Sequence, residues 1–348
     1  LYNLALTALK DYHAQNDLED EVIDLYRKAK FLAKKNLADQ CLTQIRKAKE
    51  KAYRYSLFPY LPPLIDLEVR ILTARNQYAG EGGALEKIRE SIEAGKVLVN
   101  RPQLTELYCR LFGILKETEI KRGKTQIEAA EEIISNPLLR SEDEALSFQA
   151  KVSYYQIFNS YNNLIQDYDA LYEKGRQRLE LWENHPDMQK IYPQAYLVSL
   201  SNFLVSSLKK ESEEEYMDKL ERIKRLAKTS PAMEIQAWQN YYYNYVNYLF
   251  SGLEFDKTIE QSGEIAAGFE KYGAKLGKDY RLTTGFMVAF AFFANERYEE
   301  ALDWLVEIVE TKKRFKTEVV CMAKILEILC HYELGNEDYL PYLLRSTY

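Results

Sequence analysis

Histidine is nearly missing from this 348-residue chain, with three copies, and cysteine is scarce, with four. His13, His185 and His331 stand far apart, and HExxH, GxSxG, CxxC and acidic calcium-loop patterns are all missing. Those patterns carry the common forms of metal-assisted and nucleophilic catalysis, so a catalytic role is not expected, nor a metal or a cofactor. Arg122-Gly123-Lys124-Thr125 matches the end of a phosphate-binding loop, but Thr118 occupies the place of the required earlier glycine. Cys41, Cys109, Cys321 and Cys330 lack paired spacing. That argues against a disulfide framework or a zinc site and predicts reduced thiols in a cytoplasmic protein.

Long apolar runs are missing too. The longest nearly uncharged one, Phe286 to Ala294, falls far short of the roughly 20 residues needed to cross a bilayer, and no signal-peptide pattern opens the chain. No membrane partner is expected. Runs of alternating β-branched residues are absent, which excludes a substantial sheet, and no Gly/Ser linker or composition break divides the chain. The reading is one continuous array over 1–348. Because it opens on Leu1 rather than Met, a fragment of a longer chain is expected.

What the chain does have is tyrosine, 28 copies, within a 47% hydrophobic and 29% charged composition that suits a folded core. A phenol joins a large apolar ring to a polar tip, which fits half-buried helix faces and binding grooves. Apolar residues recur at three- and four-residue spacing nearly throughout, so the chain reads as almost entirely helical. Breaks at Pro59–Pro63, Gly80–Gly83, Arg101-Pro102, Asn136-Pro137, His185-Pro186, Ser230-Pro231 and Gly277-Lys278 separate successive helical hairpins.

Inside the hairpins a tighter turn recurs. Its best copy is Phe292-Phe293-Ala294-Asn295-Glu296-Arg297-Tyr298-Glu299-Glu300-Ala301-Leu302, where an aromatic precedes a small residue by three. Gly252 to Ile259, Ala38 to Leu42 and Leu334 to Leu340 are further copies, and weaker ones surround Ala84, Ala130, Leu171 and Lys219. Aligning Cys41, Ala84, Ala130, Leu171, Lys219, Thr258, Ala301 and Leu340 gives about eight units of about 43 residues. The predicted hairpins are 18–55, 60–100, 102–136, 141–184, 189–229, 231–273, 279–312 and 316–346. These residues resemble the tetratricopeptide repeat (TPR) family, most clearly from Gly252 to Leu305, although that family's units are about 34 residues long. The resemblance implies an all-α, right-handed α-α superhelix, a TPR-like solenoid, whose first helices line a concave binding face.

Candidate ligand-binding residues follow from that face. Asn240, Tyr243, Asn244 and Asn247 recur at i, i+3, i+4 and i+7, on one side of a helix. Asparagine is a poor helix-interior residue whose amide both donates and accepts, so such a stripe either bridges neighbouring helices or grips a peptide backbone. The resemblance implies the second use, with Asn247 at the matching place. Gln156, Asn159, Ser160 and Asn163 repeat the spacing, as groove residues or as a solvated face. Phe286, Met287, Phe290 and Phe293 form an apolar face that is either core or a pocket for a partner helix. At the last hairpin, Leu343-Leu344 would leave apolar surface open unless something covers it.

Charge is uneven. The net charge is -6, yet Arg27 to Arg54 carries about +8, with Arg27, Lys30 and Lys34 on one helix face and Lys47, Lys51 and Arg54 on another. This basic patch is a solvated surface or, with Tyr53 and Tyr55 nearby, a contact for nucleic acid or an acidic partner. The expected function is a non-catalytic scaffold or adaptor that binds a protein or peptide segment on its concave face. The alternative is a peptide-responsive regulator whose basic N-terminal hairpin touches nucleic acid or an acidic partner.

Overall fold

The structure, a computed structural model, describes residues 18–118, 123–311 and 317–347. Every regular element among them is helical, and the chain divides into two compact units, Leu1–Asp167 and Tyr168–Tyr348.

The described part of the first unit holds α1 (Leu18–Lys34), α2 (Ala38–Arg54), α3 (Leu61–Ala74), α4 (Ala84–Thr118), α5 (Lys124–Ile134) and α6 (Phe148–Ile165). Each packs on the next in sequence, and α4 also lies against α6. In α2 the buried positions Cys41, Ile45, Ala48 and Ala52 fall at i, i+4, i+7 and i+11, so one narrow stripe meets Val22 and Ala29 of α1 and Leu61, Leu64 and Ile65 of α3. Small residues bring α1 and α2 close enough for the Cys41 thiol to donate to the Ala29 carbonyl at 3.1 Å. Lys49 is buried on the flank of α2, where Glu68 of α3 (2.6 Å) and Glu90 of α4 (2.7 Å) hold it and Tyr53 donates to Glu90 at 2.7 Å.

The second unit holds α7 (Tyr168–Glu183), α8 (Pro186–Ile191), α9 (Pro193–Ser207), α10 (Glu213–Leu226), α11 (Pro231–Ser251), α12 (Phe255–Tyr272), α13 (Lys278–Ala294), α14 (Tyr298–Val309), α15 (Thr317–Glu333) and α16 (Leu340–Thr347). Its packing is regular. Helices α9, α11, α13 and α15 lie side by side in that order, while α10, α12 and α14 each pack between two of them and α16 against α15. Such nearest-neighbour contacts are what stacked hairpins need to cover their apolar stripes. Helix α13, in the middle, is buried nearly all round from Tyr280 to Phe292. Phe286 and Met287 therefore belong to the core, at 7% and 5% exposure, with Phe290 and Phe293 packed against it. On α16, Leu343 is buried and Leu344 exposed.

The recurring turn has a common geometry. Asn36, Asn76, Gln166, Leu253, Glu296 and Gly335 all adopt a left-handed backbone, φ 56 to 73. In each case the following N–H reaches back five residues to a helix carbonyl, as in Leu37 to Leu32, Gln77 to Leu72, Asp167 to Asn162, Glu254 to Leu249, Arg297 to Phe292 and Asn336 to His331. This is the Schellman closure, which satisfies orphan carbonyls at a helix end and reverses the chain. Five residues past the left-handed one stand Cys41, Leu171, Thr258, Ala301 and Leu340, the positions aligned in the sequence. Gly80 to Gly83 lengthens the turn before Ala84, and part of the turn before Ala130 lies outside the described residues. The turn before Lys219 has no left-handed residue; a capping box of Ser212 and Glu215 starts α10 instead.

One predicted break is corrected. Arg101-Pro102 does not end a hairpin, because α4 runs unbroken through Pro102 for 35 residues. Proline deprives the Leu98 carbonyl of its usual donor, but the helix is held from outside. Buried Asn100 donates to the Glu144 carbonyl at 2.8 Å and accepts from the Leu146 amide at 2.9 Å, binding the segment before α6 to the same turn.

Candidate functional site

Helix α11 begins at Ser230, which caps the Met233 amide, with Pro231 pre-set in the first turn. Its twenty-one residues carry aromatics and amides almost without charge, and packing fixes how they are oriented. One face, with Met233, Ala237 and Asn244, turns toward α9 and α10. There the Asn244 amide donates to Ser201 Oγ of α9 at 2.7 Å, and the Tyr216 hydroxyl of α10 donates to the Asn244 carbonyl at 3.0 Å. The opposite face, with Tyr242 and Val246, enters the core shared with α12 and α13, where the Tyr242 hydroxyl donates to Glu264. Beside it the Trp238 ring lies over Gly268 of α12, where a Cβ would fall 1.9 Å from the indole. Only glycine admits that approach. Tyr242 and Tyr272 complete the setting, at ring distances of 5.0 and 5.3 Å.

Two edges remain between the buried faces. Tyr241 and Tyr245 form one, toward α10, with the Lys224 ammonium 5.0 Å from the Tyr241 ring. Gln236, Asn240, Tyr243 and Asn247 form the other, between the contacts with α9 and α13, and all four are half-buried. The Tyr243 ring lies tilted against Tyr280 of α13, with centroids 5.8 Å apart, and burial pushes its phenol pKa up, so the group stays neutral at physiological pH.

The asparagines divide accordingly. Asn244 is corrected from groove residue to interhelical tie: its side chain has no solvent exposure. Its i+4 spacing from Asn240 is one residue out of step with the open edge, so it points at α9. Its Oδ1 is buried without a donor, a cost of about 1–3 kcal/mol that the Ser201 and Tyr216 bonds offset. Asn240 and Asn247 keep part of their surface. Each donates to the carbonyl four residues back, Gln236 and Tyr243 respectively, both at 2.8 Å. That back-bonding accounts for how a poor helix former sits mid-helix, and it leaves both Oδ1 atoms as acceptors for a ligand donor.

On α6 the other stripe is less uniform. Asn163 is exposed, Gln156 and Ser160 are half-buried, and Asn159 turns its Oδ1 away from solvent. Neighbouring Asn162, which is not part of the stripe, is buried at 5% exposure.

The basic residues do not make one patch. Arg27, Lys30 and Lys34 are exposed on α1, as are Lys47 and Arg54 on α2. Lys51 pairs with Glu21 at 2.7 Å. Glu21 sits about 120–180° around α1 from Arg27, Lys30 and Lys34 at 3.6 residues per turn, so the triads occupy different sides of the hairpin. Tyr53 is engaged with Glu90, and the Arg54 guanidinium lies over Tyr55 at 5.2 Å. The sequence reading overlooked Phe31, 60% exposed among Arg27, Lys30 and Lys34. It also overlooked Gln236, which the helical period places one turn before Asn240.

Two recesses of the first unit are open grooves. One of about 430 Å³ is lined by Val99, Asn100, Leu138 and Leu146 with Lys96 and Glu144, and one of about 410 Å³ by Phe58, Pro59, Leu98, Arg101 and Pro102. Neither gathers more than two ionisable side chains. Among the described residues no three His, Cys, Asp or Glu are placed to hold a metal, and no helix is long and apolar enough to cross a membrane. All four cysteines are free thiols. Compared with known proteins, the chain matches no family model and no curated protein.

Proposed function

We propose that this protein is a non-catalytic, cytoplasmic scaffold or adaptor that binds an extended protein or peptide segment along the open edge of α11. The hairpins continue in this reading as a right-handed, TPR-like superhelix of about eight units, with α9, α11, α13 and α15 on the concave side. The observation that carries the proposal is the uncharged edge Gln236, Asn240, Tyr243 and Asn247, flanked by helices on both sides and half-open to solvent. Amides on such an edge pair with backbone N–H and C=O groups whatever the peptide sequence, and a rigid aromatic adds apolar contact at small entropic cost.

The test is selection of peptides from a random display library on the intact chain, followed by calorimetric titration of the selected peptides. An Asn240→Ala, Asn247→Ala double variant with unchanged circular dichroism is expected to bind about 30-fold more weakly, from two lost hydrogen bonds of about 1 kcal/mol each. Equal binding by both proteins would overturn the assignment. A second reading rests on Phe31 exposed among Arg27, Lys30 and Lys34 on α1. Those residues would hold an acidic segment or a single-stranded nucleic acid, with affinity that falls as salt rises. Fluorescence anisotropy of a labelled oligonucleotide, with and without Lys30→Ala and Lys34→Ala, tests it; no salt-sensitive binding would remove it.

A further inference from the structure

The groove of about 410 Å³ in the first unit is built by three elements. Phe58 and Pro59 come from the turn between α2 and α3, one face of α4 supplies Leu98, Arg101 and Pro102, and Ser147 and Gln149 open α6. Its walls are apolar where Phe58, Pro59, Leu98 and Pro102 meet, and Arg101 is the one ionisable residue in its lining. Two groups there have unused hydrogen-bonding capacity. The guanidinium of exposed Arg101 meets no acceptor and no carboxylate among the described residues. The Leu98 carbonyl loses its helical donor to Pro102, and no side chain among the described residues donates to it. Because the Asn100 clamp keeps α4 continuous through this turn, both groups sit on the same stretch of ordered helix, three residues apart.

We propose that this groove captures the carboxy-terminal residue of a partner protein, one whose last side chain is apolar. The unused groups select that occupant. An unpaired guanidinium calls for an anion, and a carboxylate meets its fork with two parallel hydrogen bonds. An acceptor one helical turn away calls for an N–H. A terminal residue offers both from a single Cα, with its two carboxylate oxygens on one side and its amide on the other. Its side chain leaves the same atom and finds Phe58, Pro59 and Pro102. An internal Asp or Glu does not match, because its carboxylate stands on a flexible stem away from its own amide and brings no apolar group. A phosphate supplies neither the N–H nor the apolar group. Capture of a terminal carboxylate is a recurring mode of peptide recognition, and a groove of this volume lies within the roughly 300–1,000 Å³ of small-ligand sites. The start of α6 at the same groove adds a dipole that favours the anion. The site belongs to the first unit and does not depend on the edge of α11.

The experiment is selection on the full chain of short random peptides displayed with free carboxy termini, followed by fluorescence anisotropy of the selected peptides as acids and as carboxamides. The selected sequences are expected to end in Leu, Ile, Val or Phe, and the carboxamides to bind about tenfold more weakly or worse. Arg101→Ala is expected to weaken the acid to the level of the amide. Pro102→Ala returns an N–H to the Leu98 carbonyl, so it is expected to raise the melting temperature while weakening the acid several-fold, a split that a purely structural proline would not give. Asn240→Ala with Asn247→Ala leaves this binding unchanged, which separates it from the α11 edge. No shared apolar terminus, equal binding of acid and amide, an acid preference that survives Arg101→Ala, or full affinity in Pro102→Ala would each overturn the proposal.

Discussion

Gly268 is the position where the packing makes its sharpest demand. A Cβ there would lie 1.9, 2.4 and 2.5 Å from three atoms of the Trp238 indole, where ordinary contact begins near 3.4 Å. In Gly268→Ala the ring has to move by about 1.5 Å or leave its place against Tyr242, Phe269 and Tyr272. If half of an aromatic burial of roughly 200 Å² is returned to water at about 25 cal/mol per Å², the cost is about 2.5 kcal/mol. Alanine gives back about 1 kcal/mol in helix propensity, leaving a net destabilisation of about 1.5 kcal/mol. The sign is expected to reverse without the ring: in a Trp238→Ala background, Gly268→Ala gains about 1 kcal/mol. Urea denaturation of the four members of this cycle, followed by circular dichroism, reads both numbers. Stabilisation by Gly268→Ala in the native background, or the same sign in both backgrounds, would refute the reasoning.

Other outcomes follow from the same geometry. Leu253 is left-handed at φ 58 and its side chain is 71% exposed, so Leu253→Gly removes strain and little burial. A gain of about 0.5–1 kcal/mol is expected, and a loss would mean that the turn depends on the leucine. Lys49→Ala leaves Glu68 and Glu90 with only Lys87, 3.7 Å from Glu90, to offset them, at an expected cost of about 3 kcal/mol; a cost under about 1 kcal/mol contradicts the buried cluster. In the native state Cys109 and Cys321, which are exposed, are expected to react quickly with a thiol reagent, and buried Cys41 and Cys330 only on unfolding. Burial pushes the Cys330 thiol up to about 11, against about 8.5 in an unfolded chain. The unfolded state therefore loses its proton first. The stability this group contributes is full below about pH 8.5 and is lost as pH rises toward 11, and Cys330→Ala is expected to flatten that decline.

The hairpins were legible because the Schellman turn leaves a local trace, a tolerant residue followed five positions later by one that must fit against the neighbouring helix, as in Glu296 and Ala301. Pro102 misled because proline's lost hydrogen bond is a local cost, whereas the Asn100 clamp that keeps α4 continuous comes from residues more than forty positions away. The edge of α11 was half legible. Asn240, Asn244 and Asn247 share a stripe on a helical wheel, but which part of it is open depends on where α9 and α13 lie, and Ser201 and Tyr216 claim Asn244. The basic segment gave its charge correctly and its arrangement poorly, since Glu21, Glu68 and Glu90 reach Lys51 and Lys49 from elsewhere in the chain.

The open edge of α11 as a peptide-binding surface is tested most directly by site-specific photo-crosslinking of a display-selected peptide. A photoreactive residue replaces either Asn240 or exposed Glu260 of α12, in otherwise identical proteins. Efficient crosslinking from position 240 and none from position 260 is the predicted result; equal yields, or capture from position 260 alone, would contradict it.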